Sequence, residues 1–261
     1  MTLLRLELKQ NIRSLAIWTL SIGVFLMVCV FMYPEMKNEM QDVSGIFSSM
    51  GTFSAAFGMD RLDLGALTGF YAVECGNILG IGGAFFAALL AVGALAKEEY
   101  GRTAEFLLSH PVSRRQIVTW KLAAVLLQIL LLNIIVFILP VTSVTLIGET
   151  VPWKEIGLLH LADLLVQIEL ACVCFGLSAF LRHNNAGLGL GIAAVLYFLN
   201  IIANISEQAG FLKYLTPFGY AEGADILTDG CLNIEMVLLG MGWAVAGSAI
   251  AYWKYCGKDI I

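Results

Sequence analysis

Charge is what this chain has least of. Of its 261 residues only 13% are charged, 59% are hydrophobic, and the mean hydropathy is +0.83. Soluble domains carry about 25% charged residues, so a water-soluble fold is excluded and an integral membrane protein remains. Proline is scarce, with five in all, which leaves long stretches without helix breakers. There are three histidines, and the six cysteines (Cys29, Cys75, Cys172, Cys174, Cys231, Cys256) are scattered, so no metal-ligand spacing exists. Cys172 and Cys174 sit in an apolar run and read as small core residues. No G-x-x-x-x-G-K-[ST], H-E-x-x-H or G-x-S-x-G occurs, which removes an intrinsic P-loop, a zincin site and a hydrolase elbow. No domain-sized basic face exists, which excludes nucleic acid as a partner.

What is present is long apolar runs. Six of them, 15–33, 76–96, 122–147, 156–181, 186–205 and 234–255, are near or above the ~20 residues that cross a ~30 Å hydrocarbon core. Pro140 kinks the third or marks its outer end. The first run is longer than a signal-peptide core and no small-x-small cleavage site follows it, so it is read as retained.

Basic residues set the orientation. With six spans both termini share a side. If that side is the cytoplasm, it holds Arg5, Lys9, Arg13, Lys97, Arg102, Arg114, Arg115, Lys121, Arg182, Lys254 and Lys258, leaving only Lys37, Arg61, Lys154 and Lys213 outside. The expected arrangement is therefore a multi-pass membrane protein with both termini cytoplasmic. Cys75 and Cys231 then fall outside and are a candidate disulfide pair. Before the first span, Leu4, Leu8, Ile12 and Leu15 form a helical stripe beside a basic row of Arg5, Lys9 and Arg13. Two readings stand for residues 2–13: an interfacial helix with its bases among lipid headgroups, or a plain extension of the first span. Two outer segments, 34–75 and 206–233, are too aromatic for free loops, and the second is expected to dip back into the outer leaflet.

The segment 97–121, KEEYGRTAEFLLSHPVSRRQIVTWK, holds five of the fifteen Lys/Arg residues between two apolar runs. It cannot lie in hydrocarbon. Its pattern predicts a helix, a break and a second helix, with Pro111 disfavouring helix at His110 and Ser109 or Ser113 as a cap. That is the profile of a docking surface.

Polar groups inside the spans are few. His160, Asp163 and Gln167 share one face of the fourth span, and Glu169 points about 120° from Asp163. At 1.5 Å per residue Asp163 lies about 10 Å and Glu169 about 20 Å from the outer end. Gln128 and Asn133 in the third span are candidate partners. Such groups either line a translocation cavity or are satisfied by neighbouring helices. Gly76, Gly80, Ala84 and Ala88, and Gly187 with Gly191, form small-residue ladders that let helices approach.

The run Glu98, Glu99, Gly101, Thr103, Glu105, Leu107, Leu108, Ser109, Pro111, Val112, Ser113, Arg114, Arg115 and Lys121 closely resembles the cytoplasmic loop of type-2 ABC exporter permeases. Leu215, Pro217 and Phe218 resemble that family's Pro-Phe in a re-entrant outer segment, and the basic amphipathic start resembles its elbow helix. The resemblance implies an all-α integral membrane fold as a single permease domain over 1–261. It would have six transmembrane helices, an interfacial elbow at 2–13, cytoplasmic coupling helices, and re-entrant outer helices before the last span. It implies two permease chains, identical or related, with two cytoplasmic P-loop ATPases. Those ATPases would bind ATP and Mg, leaving this chain without a cofactor or an enzyme active site of its own. The loop residues Glu98, Glu99, Gly101, Arg102, Thr103, Glu105, Leu107, Leu108, Ser109, Pro111, Arg114 and Arg115 would fit a groove on the ATPase. In layout the chain is most similar to compact Gram-positive permeases that export bacteriocins, peptide antibiotics or phenol-soluble modulins. The expected cargo is an amphipathic peptide or hydrophobic antibiotic. The alternatives are a resistance transporter clearing drug from the membrane, and a channel or scaffold with no ATPase.

Overall fold

The structure, a computed structural model, describes residues 2–49, 51–101, 112–183 and 185–258. Among the described residues there is helix and no strand, and six helices are long and apolar enough to cross a membrane. They are α1 (Thr2–Ser49), α3 (Leu67–Val92), α5 (Arg114–Leu146), α6 (Trp153–Ser178), α7 (Ala186–Ile205) and α9 (Ile234–Cys256). Three short helices join them: α2 (Thr52–Ala56), α4 (Lys97–Tyr100) and α8 (Gly223–Asp229).

α6 is the hub. It packs against α3 on one side and α9 on the other, while α1 lies along α5 and α7 along α3. Its buried Leu159, Ala162, Val166, Leu170 and Phe175 fill the centre. α1 buries Leu15, Ile22, Leu26, Val30 and Tyr33 on one stripe, yet leaves Ile17, Leu20, Phe25 and Phe31 exposed. A helix apolar on both its buried and its exposed faces is suited to lipid, not to water.

Local chemistry fixes several ends. Ser113 opens α5 with a capping box: its hydroxyl accepts from the Gln116 amide, and the Gln116 side chain accepts from the Ser113 amide. Asn185 caps α7 and Asn233 caps α9. Gly230 ends α8 in the left-handed conformation that other residues resist.

Several boundaries differ from the sequence reading. α1 has no elbow break: residues 2–13 run straight into the first span, with Arg5, Lys9 and Arg13 exposed along it. It also runs through Pro34 to Ser49, about 72 Å in all. A proline removes only its own amide donor, here the one that would serve the Val30 carbonyl. Likewise α5 passes Pro140 without ending. α3 begins nine residues earlier than 76, includes a π-helical stretch at Tyr71–Gly76, and stops at Val92. Cys75 is buried and Cys231 exposed, and both are free, so they do not pair.

The segment 206–222 does re-enter the bundle. It consists of two 3-10 turns, Glu207–Tyr214 and Pro217–Tyr220. The Thr216 hydroxyl donates to the carbonyl of Leu196, nine residues before the end of α7, at 2.8 Å. The Tyr220 hydroxyl donates to Glu169, sixteen residues into α6, at 3.0 Å. At 1.5 Å per residue those contacts lie about 13 Å and 24 Å from the helix ends.

Hydrogen bonds also gather the chain ends. Glu7, Lys97, Lys121, Leu181, Cys256 and Lys258 are linked at one end of the bundle. This basic end faces away from an acidic end, where Arg61 and Lys213 (3.0 Å) both bind Asp225. Burial would raise the Asp225 carboxyl, but these two cations hold it below the usual aspartate value.

Candidate functional site

The strongest electrostatic feature lies at the basic end. Lys121 sits two turns into α5 with a side chain 0% exposed. A buried ammonium needs all three protons satisfied, and here they are. Lys121 Nζ donates to Glu7 Oε1 at 2.8 Å, to Glu98 Oε1 at 2.8 Å and to the carbonyl of Ala94 at 2.9 Å. Glu7, itself buried, also pairs with Lys97, which donates to Gln10 at 2.9 Å. Burial, then repulsion from Lys121, draws the Lys97 ammonium below the usual lysine value against the pull of Glu7. Four alternating charges thus join the start of α1, α4 and α5.

The helix register explains the convergence. Glu7, Asn11 and Ser14 occupy one stripe of α1 and, with Lys97, Gly93 and Gln128, line a cavity of about 130 Å³. Glu7 is the only acid before Glu35. It was passed over in favour of its basic neighbours, although a lone acid among bases was the available signal.

This cluster brackets the loop picked out from sequence. Glu98 belongs to it, and Gly101 ends α4. Arg114 donates to the carbonyls of Lys258 and Cys256 (3.4 Å for the latter), while Arg115 is exposed. The side chain of Glu99, and Arg102, Thr103, Glu105, Leu107, Leu108, Ser109 and Pro111, lie outside the described residues.

The intramembrane polar residues are all buried but do not form one cluster. Asn133 Nδ2 donates to Gln167 Oε1 at 2.7 Å, the pairing expected between the third and fourth spans. Gln128 does not join them; its amide donates to the Ala124 carbonyl of its own helix at 3.0 Å and faces the Glu7 cavity. His160 Nε2 is hydrogen-bonded to the Tyr71 hydroxyl at 2.7 Å, reached through the π-helical widening of α3. Asp163 faces Gly80 of α3 and an outer polar cavity. Glu169 turns the other way, to Tyr220 and Gly240 of α9. It borders a mainly apolar cavity of about 210 Å³ with Leu170, Val173, Leu196, Leu215, Pro217 and Trp243. Among the described residues no group of three His, Cys, Asp or Glu side chains could hold a metal.

The comparison with known families says what kind of membrane bundle this is. The family described as ABC-2 family transporter protein matches residues 1–260. The chain belongs to the ABC-2 transporter family. As an ABC-2 permease it is a multi-pass membrane subunit of an ABC transporter, and that family implies an ATPase partner. No curated protein matches the chain.

Proposed function

We propose that this chain is the permease of an ATP-driven exporter built from two permease chains, identical or related, and two cytoplasmic ATPases that bind ATP and Mg. The basic end faces the cytoplasm. Loop 97–115 seats in the ATPase, with Leu107 and Leu108 as apolar anchors and Arg102, Arg114 and Arg115 meeting acids of the partner or lipid headgroups. The observation that carries this reading is the fully buried Lys121, which welds the two roots of the loop to the start of α1. A rigid-body push on the loop is thereby delivered to three spans at once instead of being lost in a hinge. The cargo is an amphipathic peptide or hydrophobic antibiotic.

One observation favours the resistance variant, in which drug is drawn from the membrane. The cavity beside Glu169 is bordered by Leu215 and Trp243, both more than half exposed on the outer surface of the bundle. A hydrophobic solute in the bilayer can reach it sideways.

Orientation tests the reading directly. Single cysteines placed at positions 110 and 225 in a cysteine-free background are expected to react with an impermeant maleimide only in inverted vesicles and only in intact cells, respectively. The reverse pattern removes the loop from the ATP-bearing compartment and sinks the proposal.

A further inference from the structure

The acidic end holds a second polar cavity that the transport reading does not use. It lies between α3, α6, α7 and the turn before α8, with a volume of about 40 Å³. That is room for one or two water-sized species. Asp163 and Glu222 both border it, as do Asn77, Tyr197 and Asn200. No lysine, arginine or histidine borders it. The nearest cations, Arg61 and Lys213, are both engaged by Asp225.

The hydrogen bonding leaves acceptors unmatched. Asp163 is only 5% exposed and has no hydrogen-bond partner among the described residues, although its carboxyl is aimed at the cavity past the bare Cα of Gly80. A Cβ at Gly80 would come within 3.2 Å of Asp163 Oδ1, so the glycine keeps that oxygen clear. Asn200, also 5% exposed, directs its amide nitrogen to Glu222 at 3.3 Å, and its Oδ1 is buried without a partner. Asn204 donates to Glu222 as well, at 2.6 Å. Tyr197 spends its hydroxyl proton on Asn77 Oδ1 at 3.1 Å. The side-chain donors at the cavity are committed, Asn77 Nδ2 to the Val73 carbonyl among them, whereas Asp163 and the Asn200 oxygen have no partner among the described residues. Buried acceptors in that state call for an incoming donor or positive charge.

We infer that this cavity binds a compact monocation, either an alkali ion or the primary ammonium head of a cationic solute. Hard oxygen ligands suit both. With only two carboxylates and so small a volume, the site does not resemble a divalent-metal cage of six to eight oxygens. Occupancy would offset one of the two carboxylate charges and tie α3, α6 and α7 to the turn before α8. It would therefore stabilise the acidic end in the arrangement seen here. The inference is independent of which cargo is moved.

Thermal unfolding of the full-length chain in neutral-lipid nanodiscs tests it. Na⁺, K⁺ or methylammonium would be titrated against N-methylglucamine at fixed ionic strength and pH. The expected result is a saturable rise in Tm of a few degrees with at least one small cation and none with N-methylglucamine. Saturation by Na⁺ or K⁺ at the lower concentration identifies an ion site, and saturation by methylammonium an amine site. Asp163→Asn and Glu222→Gln should each keep the fold and abolish the rise. A Tm indifferent to cation identity, or a rise that survives in both variants, overturns the inference.

Discussion

Replacing Lys121 with methionine is expected to destabilise the permease by about 3–5 kcal/mol, the range for removing one partner from a buried ion pair. The variant fills the same space but removes the ammonium that Glu7 and Glu98 both hold at 2.8 Å. Glu7 keeps Lys97, while Glu98 and the Ala94 carbonyl lose their Lys121 contacts. The double variant Lys121→Met with Glu98→Gln should recover part of the stability, because the carboxylate that loses its Lys121 contact is then neutral. Coupling should not recover with it: with the weld absent, ATPase activity should no longer track transport. Tm in nanodiscs, followed by ATP turnover per cargo moved, separates the two effects. A single variant with unchanged Tm would show that the cluster is not the buried network described.

The second large effect is expected at Gly247. A Cβ there would fall 2.6 Å from the Cys172 carbonyl oxygen, and one at Gly176 2.5 Å from the Gly247 carbonyl. These are backbone atoms of facing helices and cannot swing aside. Overpacking usually costs about 1–3 kcal/mol, and Gly247→Val should reach or exceed the upper end, because α6 and α9 must separate. Gly240, Ala244 and Ala251 share the same buried stripe of α9, and Glu169 packs on Gly240. Parting the helices should therefore loosen the Glu169–Tyr220 contact as well. Gly242→Val is the control, since nothing lies within 4 Å of its Cβ. Equal Tm losses for Gly242→Val and Gly247→Val would contradict the close approach.

These two sites show where the sequence was legible and where it was not. Six spans could be read because a lipid-facing helix must be apolar over its whole length, and the run 186–205 matches α7 to the residue. The Ser113 cap and the descent of 206–222 were readable for the same local reason: capping chemistry and aromatic content are written in adjacent residues. Pro140 does not mark an outer end: α5 runs on past it, because a proline's cost falls on one hydrogen bond and the surrounding helix can absorb it. The small-residue ladders were legible in part. Gly80, Ala84 and Ala88 lie on a packed face of α3, and a Cβ at Gly189 of α7 would fall 2.9 Å from the Ala88 carbonyl oxygen, whereas one at Gly76 or Gly191 would meet nothing within 4 Å. A further close contact, Gly176 against Gly247, joins positions 71 residues apart and shows itself in neither helix alone. Glu7 and Lys121 are likewise 114 residues apart. A buried ion pair requires both positions, and neither residue type reveals its partner. The six polar residues singled out inside the spans are all buried, but their division among separate neighbourhoods depends on helix rotation, which spacing along one helix does not supply.

The central claim is that loop 97–115 is the grip of the ATPase. The measurement that tests it is the affinity of a purified partner P-loop ATPase for full-length permease in nanodiscs, wild type against Leu107→Asp with Leu108→Asp. The account predicts that the double variant inserts with an unchanged Tm and loses binding by at least tenfold, about 1.4 kcal/mol. Wild-type affinity in a folded double variant would contradict it.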